Sequence, residues 1–173
     1  MTRSYSAALP IAYVLLRILV VLNWLMGLAI LALLLVSPNE QWIMSAFKLT
    51  PSPDAERLIM GLQGIALIGL VTIPLNHIIL RRLLAIVESV RAGDAFAASN
   101  AQRLQAIAWA LLALQLLGMV IAAIAEAVSS AAHPLDIDAG WSINGWLAVL
   151  LTFVLARVFA EGTIMREDLE GTV

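Results

Sequence analysis

The sequence predicts an all-α integral membrane protein, a single bundle of four transmembrane helices, and three observations support this class. Four runs without a charged residue, at 18–36, 58–80, 104–125 and 139–156, are each close to the roughly 20 residues that a helix needs to cross a bilayer. The chain is 62% hydrophobic and 13% charged, with a mean hydropathy of +0.95, whereas soluble domains are about 45–50% apolar and about 25% charged. The ten Lys and Arg are shared unevenly among the gaps between the runs.

A soluble four-helix bundle is the alternative fold. A soluble helix needs a polar face that recurs every 3.6 residues, and the stretch 29–36 contains no polar side chain. Because an unpaired backbone group in lipid costs several kcal/mol, the runs are predicted to be helices and not isolated strands. The chain has no cysteine, which excludes disulfides, iron–sulfur ligation, thiolate zinc sites and cysteine nucleophiles.

The positions of the cations predict the orientation in the membrane. If the four runs cross the bilayer in turn, every Lys and Arg except Lys48 and Arg57 falls on one side. The positive-inside rule then makes both termini and the middle loop cytoplasmic. Arg3 precedes an apolar stretch as in a signal peptide, but that stretch continues to Val36 without a small-residue cleavage site. We therefore expect a retained first helix in a multi-pass membrane protein.

The first predicted span covers about 11–36, with Pro10 in its opening turn. Arg17 follows one or two turns later. An Arg at the bilayer centre costs about 2.5–3.5 kcal/mol, so Arg17 is expected near the inner interface with its guanidinium reaching the phosphates. A functional Arg buried within the bundle is the alternative.

The second predicted span covers about 58–80 and begins outside the membrane. Ser52 is the expected N-cap and Pro53 the first helical residue. Asp54 and Glu56 complement the positive end of the helix dipole.

The segment 81–103 is predicted to be a cytoplasmic amphipathic loop. Apolar residues recur at helical spacing over 83–90, so the second helix should continue into the cytosol until Gly93, a typical helix stop. A short turn around Phe96 follows. Ser99 and Gln102 match a capping box at the start of the third helix.

The last two spans are predicted at about 104–126 and 141–160, followed by an acidic cytoplasmic tail, 161–173. Arg157 and Glu161 are spaced i, i+4 and can pair. The acidic tail and the basic middle loop lie on the same predicted side. They can pair with each other or present a bipolar surface to a soluble partner, and simple solvation is the alternative.

Uncharged polar side chains also lie within the predicted spans: Asn23, Gln63, Thr72, Asn76, His77, Gln115 and Thr152. Such groups usually form hydrogen bonds between helices. A polar cavity for a ligand or ion is the alternative. His77 suggests haem or metal, but the second histidine, His133, belongs to the opposite side, and a bundle haem site usually needs two axial ligands. No metal site or cofactor is predicted.

Two segments resemble a known family. The loop 90–104, with its Gly93-x-x-Phe96 and Asn100-x-x-Arg103-Leu104 pattern, and the ending 167–173 are similar to the bacterial domain-of-unknown-function 2975 family of four-span membrane proteins. The resemblance implies the bacterial inner membrane and no catalytic residues. It also implies a link to a small helix-turn-helix regulator, because members are commonly encoded beside one.

The predicted function is that of a non-enzymatic inner-membrane protein that engages a cytoplasmic partner through its middle loop and tail, with a helix-turn-helix transcription regulator as the expected partner. The docking residues would be Arg81, Arg82, Arg91, Gly93, Phe96 and Arg103. A small transporter or efflux component with a polar cavity among Asn23, Gln63, Asn76 and Gln115 is the alternative, and a homo-oligomer is compatible with either function. A membrane enzyme ranks third, because no cluster of acid, base or metal ligands occurs at one depth.

Overall fold

A computed structural model describes residues 5–36, 44–45, 52–94, 96–129 and 141–170 of the chain. These residues form four long helices, α1 (Tyr5–Val36), α2 (Pro53–Arg91), α3 (Ala98–Val128) and α4 (Ile143–Glu170), and no strand occurs among them. All four helices are long and apolar enough to cross a membrane. The predicted all-α class with four membrane-spanning helices is confirmed.

Helix α2 begins where the local chemistry predicts. The Ala55 amide donates to the Ser52 side-chain oxygen at 3.2 Å, and the Glu56 amide donates to the Ser52 carbonyl at 3.1 Å. Ser52 is therefore the N-cap, with Pro53 as the first helical residue.

Helix α2 also ends where Gly93 predicts. The Gly93 amide donates to the Val90 carbonyl and the Asp94 amide to the Ser89 carbonyl, which is the hydrogen-bond pattern of a Schellman cap. Gly93 has a φ of 87°, a conformation that costs little only for glycine. At 39 residues α2 is about 58 Å long, about twice the roughly 30 Å thickness of the hydrocarbon core.

The connection to α3 is shorter than the predicted loop 81–103. Helix α2 includes 81–91, so the connection, hereafter the α2–α3 turn, is described at 92–94 and 96–97. The predicted capping box at Ser99 is wrong by position, since α3 begins at Ala98 and the Asn100 amide already donates to the Ala97 carbonyl at 2.8 Å. Ser99 lies inside the first helical turn.

The contacts divide the chain into two units. The first unit contains residues 1–23, 75–113 and 143–173, and the second contains 24–74 and 114–142. Among described residues, the buried apolar positions of the first unit include Leu104, Ile107 and Ala156, and those of the second include Leu58 and Ile73. That the whole chain makes a single domain stays a prediction.

Most of the apolar surface of the helices lies outside these cores. Only 6% of the most apolar window of α1 is buried, and 17–22% of the windows in the other three helices. A soluble protein rarely exposes apolar patches of this size. The exposed faces are those expected to contact lipid.

Candidate functional site

The α2–α3 turn packs against the C-terminal part of α4, within the first unit. The Phe96 ring stacks on Phe159 with the ring centroids 5.4 Å apart and the planes inclined by 30°. The absence of a side chain at Gly162 makes room for the Phe96 ring, because a Cβ there would lie 3.3 Å from Cδ1 of Phe96. Phe96 still exposes 47% of its surface, so it can contact a further molecule.

Two polar contacts accompany the aromatic stack. The buried Thr163 hydroxyl lies 2.9 Å from the Phe159 carbonyl and 3.2 Å from the Phe96 carbonyl, and it can donate to either. Arg166 donates to Asp94 at 2.7 Å, and both side chains are half exposed. An exposed ion pair contributes about 0–1 kcal/mol, so the aromatic stack and its buried surroundings are the stronger attachment of the turn.

These contacts define one composite surface. Phe159, Gly162, Thr163 and Arg166 follow the i, i+3, i+4, i+7 spacing that places residues on one face of a helix. Together with the α2–α3 turn we call them the turn–α4 surface. An ion pair joins the turn and the tail, but its charges are opposite to the predicted pairing of a basic loop with an acidic tail: among the described residues the acid comes from the turn and the base from the tail. The side chains of 167–170, and all of 171–173, lie outside the described residues.

A buried polar cluster holds α3 against the end of α2. Asn100 is fully buried, and its side-chain amide donates to the Ser89 hydroxyl at 2.7 Å. The Ser89 hydroxyl lies 2.8 Å from the Ile86 carbonyl and can donate to it. Arg103 donates from one terminal nitrogen to Oδ1 of Asn100 at 2.7 Å and to the Ala85 carbonyl at 3.1 Å. Arg103 is one of the predicted docking residues, but this nitrogen already forms hydrogen bonds within the protein.

The remaining predicted docking residues are open to solvent. Arg81, Arg82 and Arg91 are exposed along the C-terminal part of α2, as is Gly93 at its end. Arg91 also contacts the first helix, with its guanidinium carbon 5.1 Å from the centroid of the Tyr13 ring. Arg91 directly precedes the α2–α3 turn, and Arg81 and Arg82 lie about 15 Å before it along α2.

The predicted ion pair between Arg157 and Glu161 of α4 is present. The side chain of Arg157 donates to Glu161 at 2.8 Å, and both side chains are exposed. With the spacing i, i+4, such a pair stabilises an isolated helix in water by about 0.3–0.5 kcal/mol. It is a local stabilising contact.

Gln63, one of the residues of the predicted polar cavity, lines an apolar groove. Gln63 lines a groove of about 390 Å³ in the second unit, and the other residues lining it are apolar side chains and a glycine of α1, α2 and α3. Gln115, Asn23 and Asn76 do not line this groove. Asn23 and Asn76 belong to the first unit, and Gln63 and Gln115 to the second. The cavity stays a prediction without support from this groove.

The threonines of the spans do not join helices. The Thr72 hydroxyl donates to the Gly69 carbonyl at 2.7 Å and the Thr152 hydroxyl to the Ala148 carbonyl at 2.6 Å, each within its own helix. For these two residues the prediction of interhelical hydrogen bonds is wrong, because a helical Thr can reach a carbonyl of the preceding turn. His77 is half buried, and His133 lies outside the described residues. Among the described residues no group of three His, Asp or Glu side chains could hold a metal ion.

Sequence reasoning missed four residues of this region: Tyr13, Ser89, Phe159 and Thr163. Tyr13, Ser89 and Phe159 belong to apolar or amphipathic helical stretches and Thr163 to the predicted acidic tail, where residue type alone gives no signal. Their roles depend on contacts with residues far away in the chain. The spacing of Phe159 and Thr163 on one face of α4 was a signal that could have been used.

Comparison with known proteins identified a matching family but no individual similar protein. A family model described as "Protein of unknown function (DUF2975)" matches residues 36–173. No curated protein and no solved structure matches the chain.

Proposed function

The chain belongs to the DUF2975 family of proteins of unknown function, and from this premise we propose that it is a non-enzymatic protein of the bacterial inner membrane that engages a cytoplasmic protein through the turn–α4 surface. The proposed partner is a helix-turn-helix transcription regulator. The family match and the four apolar helices support a multi-pass membrane protein of unknown function. The partner and the cellular location are our proposals.

The observation that carries the proposal is the attachment of the α2–α3 turn to α4. The stack of Phe96 on Phe159 gives the turn a defined position beside the C-terminal part of α4. A preorganised surface binds with a smaller loss of conformational entropy than a free loop. The half-exposed Phe96 ring offers an apolar anchor of the kind that dominates many interfaces.

The charge around this surface supports a partner with an acidic face. Arg81, Arg82 and Arg91 are exposed on the adjoining part of α2. Cations at the rim of an interface speed association and orient the partner more than they raise affinity. The choice of a helix-turn-helix regulator follows from the family resemblance, whose members are commonly encoded beside such a protein.

Site-specific photo-crosslinking in native membranes tests this proposal. A photoreactive amino acid replaces Ala92, in the same turn as Phe96, or Met165, two residues after Thr163 on α4, and both positions are exposed. Met60, which is 72% exposed in the second unit, is the matched control. We expect a helix-turn-helix protein to be captured from positions 92 and 165 and not from 60, with a several-fold lower yield after Arg81→Gln and Arg82→Gln.

Other outcomes would contradict the proposal. Capture of lipid alone, or of the same proteins from all three positions, would remove the turn–α4 surface as a docking site. Arg57→Gln, which neutralises an exposed cation outside this surface, should leave the yield unchanged. If the chain is instead a transporter, purified protein in liposomes would show flux that falls when Gln115 or Asn76 becomes Leu.

A further inference from the structure

Two cations contact one aromatic ring at the N-terminal part of α1. The guanidinium carbon of Arg17 lies 4.9 Å from the centroid of the Tyr13 ring, and that of Arg91 lies 5.1 Å from the same centroid. The two guanidinium carbons are therefore at most about 10 Å apart. Each contact is a cation–π interaction, which holds both side chains beside Tyr13.

Within the described residues neither Arg17 nor Arg91 has a carboxylate partner, whereas Arg157 pairs with Glu161 and Arg166 with Asp94. Like charges held this close repel each other. An anion beside both would remove the repulsion and use the donors that the ring leaves unused.

The surroundings of the pair are those of a lipid interface. Val14 and Val21 lie three residues before and four residues after Arg17, on the same side of α1, and each exposes more than half of its surface. These apolar residues continue into the long exposed apolar face of α1. An amphipathic molecule with an anionic head and apolar chains matches this combination of charge and apolar surface.

We propose that Arg17 and Arg91 bind the phosphate group of an anionic phospholipid, with Tyr13 holding the two guanidinium groups in place and the exposed face of α1 contacting the acyl chains. The guanidinium group suits this ligand, because its N–H donors match phosphate oxygens in pairs. Two positive charges favour an anionic headgroup over a zwitterionic one. This site shares Arg91 with the cations proposed to orient the partner, whereas Tyr13 and Arg17 of α1 belong to the lipid site alone.

Native mass spectrometry of the full chain tests the site. The purified protein is titrated in detergent with phosphatidylglycerol and, separately, with phosphatidylcholine, and the retained copies of each lipid are counted. We expect the wild-type chain to prefer phosphatidylglycerol and Arg17→Gln to reduce this preference about tenfold, as is typical for loss of a charge-assisted hydrogen bond. Arg157→Gln is the matched control, because it removes an equal charge whose partner is already Glu161.

Additional measurements distinguish the effect of the positive charge, the source of the phosphate group and a change in folding. Arg17→Lys keeps the cation but not the paired guanidinium donors, so it should retain part of the preference, and circular dichroism should show unchanged helix content in every variant. Inorganic phosphate added in excess should not displace the lipid, since it lacks the chains that contact α1. The proposal is overturned if Arg17→Gln keeps the wild-type preference, if Arg17→Lys loses as much as Arg17→Gln, or if inorganic phosphate displaces phosphatidylglycerol.

Discussion

Asn100 is the side chain on which the junction of α2 and α3 most depends. It is fully buried, donates to Ser89 and accepts from Arg103, and Arg103 in turn donates to the Ala85 carbonyl. A buried polar group is tolerated when its hydrogen bonds are formed, and removal of one partner leaves the others unsatisfied. The cluster therefore favours one register of α3 against α2.

Asn100→Ala should lower the free energy of unfolding by about 1–3 kcal/mol, because Ser89 and Arg103 both lose a buried partner. The measurement is thermal or denaturant unfolding of the purified chain in detergent. Gln102→Ala removes an exposed amide from the same helix and should change stability by less than about 0.5 kcal/mol. Equal effects of the two substitutions would show that the Asn100 cluster does not stabilise the junction.

At the scale of the elements, α2 and α3 approach closely in the second unit. A Cβ added at Gly61 would lie 2.6 Å from both γ carbons of Val128, closer than side-chain atoms can pack. Three residues further along α2, a Cβ at Gly64 would meet no atom within 4 Å. Small residues commonly allow such close contacts between membrane helices. Here the contact of α2 with Val128 requires a glycine at position 61 but not at position 64.

Gly61→Ala should destabilise the protein by about 1–3 kcal/mol through overpacking against Val128. Gly64→Ala should be neutral or stabilising by about 0.5–1 kcal/mol, since alanine favours a helix interior. Unfolding of both variants under identical conditions gives the comparison. Val128→Ala in the Gly61→Ala background should restore part of the lost stability, and a double-mutant cycle without coupling would contradict the contact.

For the whole molecule, cations concentrate in the first unit. That unit contains every Lys and Arg of the chain except Lys48 and Arg57. It also contains the turn–α4 surface and the Tyr13 contacts with Arg17 and Arg91. By the positive-inside rule the parts of this unit that carry these cations, both chain termini and the region around the α2–α3 turn, are predicted to face the cytoplasm.

Cysteine labelling can test this orientation, because the natural chain contains no cysteine. Ala92→Cys lies in the α2–α3 turn, and Ser129→Cys follows the last residue of α3. In intact spheroplasts a membrane-impermeant maleimide should label position 129 and should label position 92 only after permeabilisation. The reverse pattern would invert the orientation, and labelling of both positions from outside would mean that α3 does not span the membrane.

The class of the protein and the limits of α2 could be predicted from the sequence alone. Four apolar runs are sufficient to predict four spanning helices, because burial in lipid depends on hydropathy and length. The cap at Ser52 and the stop at Gly93 were also predictable, since both depend on hydrogen bonds within a few residues of the helix end. The Arg157–Glu161 pair follows from the i, i+4 spacing in the same local way.

The contacts between residues far apart in the chain could not be predicted from the sequence, because they depend on how the helices pack. The stack of Phe96 on Phe159, the bond between Ser89 and Asn100, and the contact of Arg91 with Tyr13 each join different helices. Hydrophobic pattern gives a helix its length and apolar faces, but the register and rotation between two helices depend on packing that the pattern of either helix does not contain. For that reason the same sequence that predicted four spans did not predict that Gln63 would line an apolar groove.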